Sequence, residues 1–256
     1  MGMTLAAAPV ARRPSDHIRY RPPAAWQQLT VRGLLADAER SKPDKHQLNF
    51  FERFASGELG DAPVFIAGNL SLLKQPSVSV VGTRQVSAEG AARARRIARD
   101  LALAGIVVVS GLAEGVDTAA MTSAIAQGGH VIGVIGTPLD KAFPAKNAVL
   151  QEEVYRKHLL VSQFRSGSQV FKSNFPKRNR LMAALSNATV VIEASDTSGT
   201  LHQAAECARL GRWLFIAKSV VDDPALTWPE KFLKHERCLP LEKIEDITSR
   251  ILLPSS

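Results

Sequence analysis

The stretch Asn174-Phe175-Pro176-Lys177-Arg178-Asn179-Arg180-Leu181 reads as the start of a helix, and it crowds three cations and an amide into the opening turns. The first turn of a helix already presents free N–H groups and a partial positive charge, so cations placed there oppose the dipole. A bound anion reverses that cost, which makes Lys177, Arg178, Asn179 and Arg180 candidates for holding phosphate. Pro176 suits the first helical position, with Lys177, Arg178 and Arg180 pointing outward around the turn. Other loops carry groups of the same kind. "VGTRQVSAEG" brings Gly82, Thr83 and Arg84 before a helix start near Ser87, and "SGLAEGVDTAA" brings Ser110, Gly111, Gly115 and Asp117, the last suited to an N-cap. "GTPLDKAFPAKN" supplies Thr137, Asp140, Lys141, Lys146 and Asn147, and "EASDTSGTLHQAAE" offers Ser198, Gly199 and Thr200 before a further helix.

Small-residue turns that open onto helices let backbone N–H groups cradle phosphate. None of these loops matches G-x-G-x-x-G or the Walker A pattern, which disfavours ordinary dinucleotide or triphosphate binding. Each element also has a purely structural explanation. Gly82, Gly111 and Gly136 fit tight strand-to-helix turns, and Asp117 and Asp140 fit caps. Lys177 fits a solvated position, and the Arg93, Arg95, Arg96 and Arg99 series fits an exposed helix face. His202 and Cys207 fit packing positions.

The elements that must position these loops are short, continuously apolar runs expected as strands at Ser77–Val81, Ile106–Val109, Val131–Ile135, Leu159–Ser162, Thr189–Ile192 and Trp213–Ile216. Such runs suit a sheet buried on both faces. Helical stretches lie between them, clearest in "AEGAARARRIARDLALAG" and "TLHQAAECARLG", with Gly105 and Gly211 closing them. The alternation implies an α/β fold, a Rossmann-like, doubly wound, mainly parallel sheet with helices on both faces. Ligands of such sheets bind beyond the carboxyl ends of the strands, so all of these loops converge on one edge.

Flanking segments differ in character. Residues 1–25 hold Pro9, Pro14, Pro22 and Pro23 with Arg12, Arg13, Arg19 and Arg21 against one acid, Asp16, and read as a flexible basic tail. Residues 26–60 read as a small helical segment with Leu29, Leu34, Leu35, Leu48, Phe50, Phe51 and Phe54 as anchors. The Rossmann-like domain is expected over 61–218, followed by a C-terminal extension over 219–256. The 256 residues carry 32 Lys and Arg against 24 Asp and Glu, a formal charge of +8 that favours polyanionic partners. Cys207 and Cys238 are 31 residues apart without paired histidines, so neither a disulfide framework nor a zinc site is indicated, and a reducing cytoplasm fits. The apolar run Leu101–Ala113 is too short to span a bilayer.

Taken in order, Gly82-Thr83-Arg84, "SGLAEGVDTAA", "GTPLD…FP…N", "FPKRNRLMAALS" and "EASDTSGTL" resemble the motif series of the DprA/Smf family of DNA-processing proteins. The resemblance covers about residues 62–217. It implies a basic edge for single-stranded DNA, without catalytic turnover, cofactor or metal, and with RecA and a second copy of the chain as partners. The dimer it implies is formed through a sheet edge and helices of the Rossmann domain. Carried over residue by residue, Arg84 matches the arginine of the family's Gly-Ser-Arg, and Arg178, Asn179 and Arg180 match its Arg-Asn-Arg. Ser110, Gly111, Gly136, Ser198 and Gly199 match small residues of its pocket. The sequence departs from the family at Met121, Pro138, Gln163 and Ala217-Lys218, where a histidine, a glycine, a glutamate and Pro-Gly are usual.

Two other functions stay open. Ser198-Gly199-Thr200 followed by Glu206 faintly echoes the "lonely guy" nucleoside-monophosphate phosphoribohydrolases, although the glutamate comes later and the preceding double glycine is missing. A nucleotide-sensing module of the same fold, acting in phage defence without cleaving its ligand, is the other.

Overall fold

The computed structural model describes residues 20–37 and 60–252. Its centre is a nine-stranded sheet in the order β1-β2-β6-β5-β4-β3-β7-β8-β9. The strands are β1 (Gln27–Thr30), β2 (Pro63–Gly68), β3 (Ser77–Val81), β4 (Val107–Ser110), β5 (Val131–Ile135), β6 (Leu159–Ser162), β7 (Ala188–Val191), β8 (Trp213–Ala217) and β9 (Cys238–Leu241). From β6 to β9 across the sheet all neighbours are parallel, while β1–β2 and β2–β6 are antiparallel. The interior runs are buried on both faces, as β-branched continuity predicts: every residue of β3, β4, β5, β6 and β7 is buried.

Helices cover both faces. The helices α2 (Ala88–Leu103), α3 (Val116–Ala126) and α4 (Ala148–Lys157) send Ile97, Leu101, Met121 and Val154 onto Val78, Val80 and Val108. On the other face α1 (Val31–Asp37), α5 (Asn174–Leu185) and α6 (Thr200–Arg209) send Leu34, Leu181, Leu185 and Cys207 onto Val109, Val134 and Val191. Beyond them lie α7 (Lys218–Val221), α8 (Trp228–Leu233) and α9 (Glu245–Ile251). Ser87 caps α2 by accepting from the Gly90 N–H, and Gly105 and Gly211 follow α2 and α6 with φ of 71° and 62°, the left-handed closure expected of them.

Three strands had no counterpart in the sequence expectations. β1 and β2 add an antiparallel edge beside β6, and β9 extends the sheet beyond β8, so the segment after Lys218 continues the same sheet and core. Asp196 holds this segment from inside the "EASDTSGTL" loop, accepting from the Thr227 and Trp228 N–H groups at 3.1 and 2.9 Å. Residues Leu48, Phe50, Phe51 and Phe54 lie outside the described residues, as does the tail up to Arg19. From Tyr20 the chain lies against the domain, the Tyr20 hydroxyl donating to the Leu139 carbonyl at 2.7 Å. Among the described residues no helix is long and apolar enough to cross a membrane.

Candidate nucleic-acid interface

Strand order reverses at β3: the chain moves outward through β4, β5 and β6, then returns to place β7 on the other side of β3. Loops leaving β3 and β7 therefore diverge and open a crevice at the carboxyl edge. A cleft of about 430 Å³ occupies it, bounded by Gly82–Gln85, by Phe175, Pro176, Arg178 and Asn179, and by Ser198–Thr200. A smaller hollow next to it, about 60 Å³, is shared by Gly111, Gly136, Phe143 and Phe175. Arg84, Arg178, Asn179, Ser198, Gly199 and Thr200 all line the cleft, and Gly111 lines the hollow.

Arg84 is exposed, and its guanidinium lies over the Phe175 ring, 5.4 Å from the centroid. The loop that carries it is clamped from β7. Thr83 N–H donates to the Glu193 carbonyl at 2.8 Å, while Ser87 gives the Glu193 carboxylate its N–H at 3.0 Å and its hydroxyl at 2.6 Å. The neighbouring loop closes on the same turn through Gly115, where φ is +75° and an added Cβ would sit 2.4 Å from the Thr83 carbonyl. Only glycine meets both demands.

Arg178 corrects the outward placement. It is buried, 6% exposed, and Nη1 donates to the Val134 carbonyl of β5 at 3.1 Å, with Asp117 Oδ2 at 4.0 Å. Helix α5 begins at Asn174 after Ser173, so Pro176 is its third residue rather than its first. A proline is tolerated there because the first N–H groups of a helix have no intrahelical acceptor. One turn on, Arg178 falls into register with Leu181, Met182 and Leu185, the i, i+3, i+4, i+7 stripe that faces the sheet. Lys177 and Arg180 take the solvent side. The buried arginine has room only because residue 111 is glycine: an added Cβ would lie 1.2 Å from Nη1.

Asp117 is likewise not a cap. The residue before α3 is Gly115, and the Asp117 carboxylate reaches back to accept from the Gly111 and Ala113 N–H groups at 3.0 and 3.3 Å. Burial drives its carboxyl above the ordinary range against the pull of Arg178 and those two donors, and burial likewise lowers the Arg178 guanidinium against the pull of Asp117. The pair thus takes two opposite charges out of water next to the cleft, and Arg178 Nε has no partner among the described residues. Asp140 is no helix cap either; its carboxylate accepts from Gly167 N–H at 2.8 Å.

The remaining expected residues are spread more widely. Ser110 is buried and donates to the Val80 carbonyl at 2.9 Å, so it joins β4 to β3 instead of facing the cleft. Lys141 donates to the Ser168 carbonyl at 2.9 Å, and Lys146 pairs with Glu114 at 2.7 Å. Neither of them, nor Lys177 or Arg180, lines the cleft. Asn147 ties the loop after β5 to the loop after β4, donating to the Leu112 carbonyl at 2.9 Å. Sequence reasoning passed over the aromatics Phe143, half exposed, and Phe175, whose centroids are 5.6 Å apart. A Phe-Pro pair in each of two segments that follow strands, Phe143-Pro144 and Phe175-Pro176, was the available signal. It also passed over Glu193, whose role depends on partners 106 residues away.

The arrangement can take an anion at Arg84 and an aromatic or base ring against Phe143 and Phe175. Fold and site together define a Rossmann-like protein with a cationic, aromatic-lipped cleft at its switch point. The model of the DNA recombination-mediator protein A family matches residues 54–252. The chain belongs to that family, the DprA/Smf family of DNA-processing proteins. The DNA processing protein DprA of Streptococcus pneumoniae is 40% identical over 194 residues, 70% of this chain and 68% of that protein. The solved structure of that streptococcal protein matches with a TM-score of 0.72 at 31% identity, covering 89% of this chain and 75% of the other. DNA processing protein A from Helicobacter pylori, whose structure is described for its single-stranded DNA binding mode, matches with a TM-score of 0.65 at 26% identity, covering 74% and 86%. Against the DprA of Bacillus subtilis, at 30% identity, the chain spans 59% of the relative's length.

Proposed function

We propose that the chain binds single-stranded DNA along this edge and protects it, acting by binding rather than turnover in the cytoplasm, and passes the strand to a recombinase of the RecA type. The observation that carries the reading is Arg84 stacked on Phe175 at the mouth of the cleft, with Phe143 exposed beside it. A fixed cation for phosphate beside open rings for bases is the combination that holds single strands without reading sequence. The Helicobacter relative is described as a single-stranded DNA binder, and the family as recombination mediators, which supports the same direction. A homodimer belongs to the proposal as well.

The phosphoribohydrolase alternative requires an available glutamate near the Ser-Gly-Thr loop. Glu206 instead is mostly buried and bound by Arg209 Nε at 3.1 Å, and the cleft's own acid, Asp117, is engaged by two N–H groups. Fluorescence anisotropy with labelled single-stranded DNA, matched duplex and competing mononucleotides tests the reading. Single strands are expected to bind more tightly than duplex with little sequence dependence; equal affinity for duplex, or release of free adenine from AMP, refutes it.

A further inference from the structure

A second cleft of about 540 Å³ opens at the antiparallel end of the sheet, where β2 and β1 lie beside β6. Among the described residues its walls include Trp26, Phe65, Gln163, Phe164, Arg165 and Ser168, without an acid. Trp26 is 48% exposed although its ring meets Phe65 edge-on, centroids 5.6 Å apart. The indole is thus braced by Phe65 and still half exposed. Gln163 Oε1 and Ser168 Oγ are buried without hydrogen-bond partners among the described residues. Leaving buried acceptors unsatisfied is costly, so a donor brought into this cleft would be favoured. Arg165, exposed at the rim, forms no ion pair with any described residue.

We infer that this cleft is a second nucleotide subsite, in which a base stacks on Trp26, donates an amino or imino N–H to Gln163 or Ser168, and leaves its phosphate to Arg165. The inference rests on the single-stranded DNA reading of the first cleft and extends its footprint. Both clefts lie at the carboxyl edge of the parallel strands, separated by the four interstrand steps from β3 to β2, about 19 Å. Single-strand-binding grooves take up about 4 to 16 nucleotides, and a strand toward the upper end of that range occupies both clefts while one at the lower end fills the first alone. On the way, Lys141 is exposed and already tethered to the Ser168 carbonyl at 2.9 Å, which places a cation between the clefts. Gln163 is neutral, so it sets no negative charge against the phosphates at the cleft wall.

The test compares oligo(dT) of about 4 and about 12 nucleotides on the full chain. Trp26→Ala is expected to weaken the longer oligonucleotide about 5- to 150-fold, the range of one base stack, and to leave the shorter one unchanged. Trp26→Phe should restore most of the loss, and the tryptophan emission quenched by the longer strand should disappear in Trp26→Ala. Arg165→Ala, exposed and so neutral to folding, should flatten the log-affinity against log-salt slope by about 0.7 for the longer strand only. Wild-type affinity of Trp26→Ala and Arg165→Ala for the longer strand overturns this subsite and leaves the first cleft standing. Failure of the wild-type chain to bind either length overturns the DNA reading itself, and this inference with it.

Discussion

Replacing Arg178 by alanine removes a cation that the fold has already enclosed. The guanidinium is 6% exposed, bonded to the Val134 carbonyl at 3.1 Å and 4.0 Å from Asp117. Its loss strands the Asp117 carboxylate among β4, α3 and α5 without its cation, leaving the Gly111 and Ala113 N–H groups as its close donors. Breaking a buried pair by deleting one partner costs about 3–5 kcal/mol, against about 1 kcal/mol or less for an exposed pair. That is a large part of the stability of a domain of this size. The cost should depend on pH in a defined direction. Burial already holds the Asp117 carboxyl above its unfolded value, and losing Arg178 raises it further. An acid whose folded pKa exceeds its unfolded one leaves stability untouched below the unfolded value of about 3.9. It then costs about 1.4 kcal/mol for each pH unit up to the folded value and stays constant above it. Urea melts of Arg178→Ala should therefore show a smaller loss at pH 5 than at pH 8, and Asp117→Asn added to it should recover much of the loss at pH 8. A variant with wild-type stability at pH 8 refutes the enclosed-pair reasoning and returns Arg178 to the surface.

Arg84→Ala should behave oppositely. Its guanidinium is exposed and makes a cation–π contact worth about 0.5–1 kcal/mol, so urea midpoints should barely move while single-stranded DNA affinity falls and the salt slope flattens by about 0.7. Unchanged affinity and slope would remove Arg84 from the interface. Gly111→Ala places a Cβ 1.2 Å from Arg178 Nη1 and should mimic Arg178→Ala in urea melts despite adding only a methyl group. A stable Gly111→Ala chain would show that the arginine has a second seat.

What the sequence determined by itself was local or periodic. Short apolar runs specified β3 to β8 within a residue or so, because a strand buried on both faces needs continuous apolar side chains whatever its neighbours are. The reversal of strand order was implied by βαβ repetition, and with it the edge to which Arg84, Asn179, Ser198 and Gly199 would come. β2 was missed although Val64-Phe65-Ile66-Ala67 is a continuous buried apolar run, whereas β1 and β9 were not legible: Gln27–Thr30 is mostly exposed, and β9 contains Pro240, so neither carries a buried-strand pattern and each is a strand only because a neighbour offers it a free edge. Nor could local sequence rank the cations. Lys177, Arg178 and Arg180 are alike in type and nearly adjacent, yet only Arg178 shares the stripe of Leu181, Met182 and Leu185 that meets the sheet. Whether a charge on such a stripe is enclosed depends on what faces it, here Asp117 from α3, the Val134 carbonyl from β5, and a glycine at 111 that leaves the guanidinium its space. Those partners lie tens of residues away along the chain. Burial and pairing are properties of the packed interior, and tertiary structure alone decided which arginine stays exposed at the cleft and which is enclosed between the loops around it.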